Sequence, residues 1–70
     1  MRSNLRKARE RAVLTLEELG QRAGLDSTTV GMVERGLHAP RPSTRRRILE
    51  ALGLPLEKAE ELFELDRGEA

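Results

Sequence analysis

Residues 14–36 carry the same helix punctuation twice, and no other feature of the chain restricts its fold as strongly. Thr15 offers a side-chain oxygen to the orphan amides of a helix start, and Glu18, three residues on, can reach back to the Thr15 amide. Leu14 before the cap and Leu19 at the fourth helical position make a hydrophobic staple. Glu17 and Glu18 also oppose the positive end of the helix dipole, so this carboxylate pair reads as capping and not as acid–base chemistry. Gly24 then ends the helix as a left-handed residue. The device recurs at once: Asp26 is the next cap, Leu25 and Val30 the next staple, and Gly36 the next terminator.

Between Gly24 and Asp26 there is room only for a tight turn. Two short helices joined this closely, in a chain of local helical signals, read as a helix-turn-helix. The second of them, from about residue 27 to 35, buries Val30 and Val33 and leaves Ser27, Thr28, Gly31 and Met32 outside. An earlier helix is expected over residues 4–12, with Leu5, Ala8 and Ala12 at helical spacing and Arg9 beside that stripe. After an extended loop over 37–42, held by two prolines, a fourth helix should cover 43–52 with Ile48 and Leu52 inward and Gly53 closing it. A fifth should run over 56–65 on Leu56, Ala59, Leu62 and Phe63, with an irregular start because Pro55 stands where a hydroxyl cap is usual. Residues 66–70 are expected to fray. The pattern is all-α, five helices in one domain spanning residues 1–70.

Composition agrees. Phe63 is the sole aromatic residue, so core volume must come from aliphatic side chains, which suits packed helices better than a sheet. No cysteine is present, which excludes disulfides and thiolate metal sites. The N-terminus lacks the apolar stretch of a signal peptide, and no run approaches 18 consecutive apolar residues, so a cytoplasmic protein without a membrane partner is expected. The net charge of +1 conceals an asymmetry: residues 1–50 carry 11 Lys and Arg against 6 Asp and Glu, residues 51–70 carry 2 against 6. A polyanion would meet one attractive end and one that repels it.

LRKARERAVLTLEELGQRAGLDSTTVGMVERG, Leu5 to Gly36, and the spacing P-x-x-x-T-x-x-x-I-x-x-A-L-G from Pro40 to Gly53 resemble the Cro/C1-type helix-turn-helix family of bacterial and phage repressors. The resemblance covers residues 5–65. It implies a compact five-helix, lambda-repressor-like DNA-binding domain, and a sequence-specific regulator of transcription, a repressor binding a palindromic operator as a homodimer. By family position, Ser27, Thr28, Gly31 and Met32 face the bases. Thr15, Arg35, His38, Arg41 and Arg45 face phosphates, together with the amides that open helices two and four. Within the run Arg45, Arg46, Arg47, one or two are expected on DNA. Arg45 occupies a place where the family usually has an apolar residue, so the facing of helix four is open. Arg9 and Glu34 match a buried ion pair between helices one and three. The sequence departs from the family's frequent Arg, Gln and Asn readers, which points to shape and half-site spacing as sources of specificity.

The apolar residues Leu54, Leu56, Phe63 and Leu65 exceed what a short last helix needs for its own core, and they are assigned to a homodimer interface. A rival reading uses the same face for a protein partner, as an antitoxin-like or adaptor module. An enzyme is disfavoured: no nucleophile–base pair, metal-ligand cluster or phosphate-binding glycine loop is present, and no cofactor, metal or small-molecule ligand is expected. His38, alone in a loop, lacks the partners of a metal or catalytic site.

Overall fold

Residues 4–63 are described by the computed structural model, and they fold into helices without a strand. Asn4–Arg11 forms α1, Leu16–Ala23 α2, Ser27–Glu34 α3 and Pro42–Leu52 α4; a 3-10 turn, Leu56–Lys58, leads into α5, Ala59–Phe63. Leu65 and the tail expected to fray lie outside the described residues.

The first four helices stop by one device. After each, a residue turns left-handed, its amide bonds the carbonyl three back, and the next amide bonds the carbonyl five back. Gly24 to Gln21 and Leu25 to Gly20 close α2; Gly36 to Val33 and Leu37 to Met32 close α3; Gly53 to Glu50 and Leu54 to Leu49 close α4. In α1 the bonds run from Val13 to Glu10 (3.0 Å) and from Leu14 to Arg9 (3.2 Å). Three of these turns use glycine. The fourth places Val13 at φ 59°, a conformation that crowds a β-branched side chain against its own backbone.

That turn corrects the first expected boundary. α1 ends at Arg11, and Ala12 is exposed, because the chain must already be reversing to bring Leu14 against the core. α4 begins one residue earlier than expected, at Pro42, where the missing amide costs no helical bond. Its buried residues are Ile48 and Leu49, with Leu52 only half-buried. The last helix departs further: residues 56–58 are a 3-10 turn without a side-chain cap, and Leu56 is exposed instead of packing inward.

Leu5, Leu19, Ala23, Val30, Val33, Ile48, Leu49 and Leu62 form one buried cluster. α2 packs on α3 and α4, while α1 spans α5 and α3. The first helix therefore ties the last helix to the third.

Candidate nucleic-acid interface

The angle between α2 and α3 is set by backbone contact. The Leu25 amide bonds the Gly20 carbonyl at 2.7 Å, and a Cβ at Gly20 would lie 2.5 Å from the Leu25 carbonyl oxygen. Only glycine permits that approach. Both helices start from satisfied caps. The Glu18 amide donates to Thr15 Oγ1 (3.0 Å) and the Thr15 amide to Glu18 Oε1 (2.9 Å). At α3 the Thr29 amide donates to Asp26 Oδ1 at 2.9 Å, and this bond holds the Asp26 carboxyl below the ordinary aspartate value.

α3 is anchored by Val30 and Val33 and, at its end, by charge. Arg9 Nε donates to Glu34 Oε2 at 2.6 Å and Arg9 Nη2 to Glu34 Oε1 at 3.3 Å, while Nη1 reaches the Leu14 carbonyl at 2.8 Å. Glu34 is 8% exposed, the one buried charged residue among those described. The hydrogen bond to Glu34 raises the Arg9 guanidinium above its already high ordinary value, against the opposing effect of burial. A two-pronged pair with a third acceptor fixes α1, the α1–α2 turn and the end of α3 to one another.

The other side of α3 is open. Thr28 is exposed, and Ser27, Gly31 and Met32 are half-buried at its margins. Arg6, Leu16, Ser27, Thr28, Gly31 and Arg35 border a shared surface depression. Leu16, to which the sequence assigned no role, lines it with a methyl that lies against Gly31; its only sequence signal is an apolar residue at the first helical position after a cap.

From residue 35 to 49 the chain has five arginines and one histidine and no carboxylate. Arg35, His38 and Arg41 are exposed, as are Arg46 and Arg47. Arg35 Nε points back to the Gly31 carbonyl at 3.4 Å. The start of α4 has no side-chain cap, so its first amides are free of the carboxylate or hydroxyl partner that those of α2 and α3 have. Arg45 is placed differently from its neighbours. It is half-buried, its guanidinium lies 5.7 Å from the centre of the Phe63 ring, and its Nε is buried with no hydrogen-bond partner among the described residues. The apolar place that the resemblance implies is thus filled by a half-buried arginine whose guanidinium lies against an aromatic ring. Leu54 and Phe63 are half-buried and pack beside the core, whereas Leu56 is exposed.

A family model described as a helix-turn-helix domain matches residues 2–62. A protein of Methanothermobacter thermautotrophicus, described as an uncharacterized HTH-type transcriptional regulator, is 38% identical over 66 residues, which is 94% of this chain and 93% of that one. No solved structure gives a significant match.

Proposed function

Because the chain belongs to the helix-turn-helix domain family, we propose that it is a DNA-binding transcriptional regulator of the Cro/C1 type that lays α3 in the major groove. The observation that carries this reading is the division of α3 into an anchored side and an open one. Val30, Val33 and Glu34 are buried, and Thr28 projects to solvent with Ser27, Gly31 and Met32 around it. A rigid rod with one free edge is what a groove about 12 Å wide admits.

Phosphates on either side of that groove meet Thr15, Arg35, His38, Arg41 and the uncapped amides of α4. Arg45 joins them only through its outer nitrogens, since its Nε is buried and its guanidinium lies against the Phe63 ring. Two copies, joined through Leu54, Leu56, Phe63 and Leu65, place two recognition helices on a palindromic operator, with half-sites about 34–36 Å apart. Repression by occlusion is the simplest outcome for so small a domain.

Selection of preferred duplexes from a random pool, followed by titration at several salt concentrations, tests this. An inverted repeat bound by two copies, with affinity falling steeply as salt rises, is the expected result. Binding without sequence preference, or no binding to any duplex, refutes it. The exposed Leu56 gives the adaptor reading its one specific support, and capture of a different protein on that face with no duplex shift would favour it.

A further inference from the structure

Glycine inside a helix loses stability to alanine, so an internal glycine calls for a reason. Gly20 has one in the Leu25 carbonyl, and Gly24, Gly36 and Gly53 have theirs in left-handed backbone. Gly31 has neither. It lies within α3, and a Cβ built on it would meet only Leu16 Cδ1, at an ordinary contact distance of 3.8 Å. Folding therefore does not demand glycine at this position.

What a side chain at 31 would change is the depression it faces. Leu16, Ser27, Thr28, Arg6 and Arg35 line it, and the Leu16 methyl is the group that lies against Gly31. Arg35 Nε is turned back onto the Gly31 carbonyl, and Arg9 and Glu34, deeper in the same hollow, are occupied with each other. Its lining holds no Asn or Gln, so the bidentate pairing that reads an adenine edge is missing from it, and its two exposed arginines, Arg6 and Arg35, are engaged with Glu10 and with the Gly31 carbonyl. An apolar methyl beside a bare backbone and small hydroxyl residues suits the one apolar group that the major groove displays, a pyrimidine 5-methyl.

We propose that the depression over Gly31 and Leu16 receives the 5-methyl group of a pyrimidine and makes that methyl a determinant of specificity. The inference rests on the DNA-binding reading above and adds to it the group that is read. Gly31 is then the residue that leaves room, and Leu16 the surface that the methyl touches.

The test uses the full chain and a duplex selected by it. Each thymine is replaced in turn by deoxyuridine, which removes the methyl and nothing else, and affinity is read by fluorescence anisotropy. One thymine in each half-site should lose about fourfold in affinity on losing its methyl. In Gly31→Ala the added methyl occupies the hollow, so the thymine and uracil duplexes become equivalent there, while the variant melts no lower than the wild type. A duplex with 5-methylcytosine at the sensitive position separates the two natural sources: binding above that of cytosine extends the ligand to methylated cytosine, and no gain confines it to thymine. If no thymine is sensitive, or if Gly31→Ala keeps the full discrimination, this inference is overturned and the DNA-binding reading stands. If the wild-type chain binds no duplex, both are overturned.

Discussion

Replacing Val13 with glycine should stabilise this protein, although the change deletes an apolar side chain. Val13 closes α1 at φ 59°, in the position that Gly24, Gly36 and Gly53 fill after the next three helices. For an L-residue the left-handed conformation costs about 1–2 kcal/mol, and a β-branched side chain belongs near the upper end. Glycine removes that cost but gains freedom in the unfolded chain, which takes back about 0.4–1 kcal/mol. The lost side chain contributes almost no burial, because Val13 is 84% exposed. The net gain is about 1 kcal/mol, or roughly 4–8 °C in melting temperature for a domain of this size. Thermal unfolding followed by far-UV circular dichroism, at one fixed protein concentration, measures it. Val13→Ala separates the causes: it keeps a Cβ in the left-handed region and should recover only a small part of the gain. A Val13→Gly protein that melts at or below the wild-type temperature would refute the argument, since it would mean that the valine side chain contributes more than its conformation costs.

Three further outcomes follow from the same geometry. Glu34→Ala leaves the part-buried Arg9 guanidinium with only the Leu14 carbonyl and should cost about 3 kcal/mol, whereas Glu17→Ala on the exposed first turn of α2 should cost less than about 1 kcal/mol; equal denaturant midpoints would count against the clamp. The Asp26 carboxyl is held low by the Thr29 amide, so its contribution is present above the ordinary aspartate value and is lost as pH falls through the lowered one, below about pH 4. Asp26→Asn keeps an acceptor for that amide, so its melting temperature should drop less between pH 5 and pH 3 than that of the wild type. Arg45→Met removes a buried nitrogen that lacks a partner and replaces the guanidinium on the Phe63 ring with a polarizable thioether, so the melting temperature should hold or rise. If Arg45 also meets phosphate, the same variant lowers the salt slope of DNA binding by about one per protomer, and an unchanged slope would remove it from the interface.

The helix ends that were legible each carried one signal, a cap at a start or a glycine at a stop. Thr15 with Glu18, Gly24, Asp26, Gly36 and Gly53 name their own positions, and the structure places each in the expected turn. The end of α1 was not legible, because Val13 does by tertiary constraint what glycine does by preference. Its signal lay in Leu14, which must serve both as the staple of α2 and as the residue folding back on α1, leaving no room for Ala12 in the helix. The Arg9–Glu34 approach was accessible from helical facing plus resemblance. The position of Arg45 was not, because whether an arginine can replace an apolar residue depends on the aromatic ring that Phe63 supplies to its guanidinium from α5. Leu16 escaped notice because its role arises only where the first turn of α2 passes beneath a glycine in α3.

The close backbone contact at Gly20 has a consequence for how such a domain can diversify. The elbow is held by main-chain atoms, by Asp26 and by the inward valines, and none of these is among residues 27, 28, 31 and 32. The outward positions of α3 can therefore be rewritten as a set without disturbing the joint. On the DNA-binding reading proposed above, the chain is a fixed handle with an exchangeable reading head, and residues 27, 28, 31 and 32 are the positions at which a new target would be written.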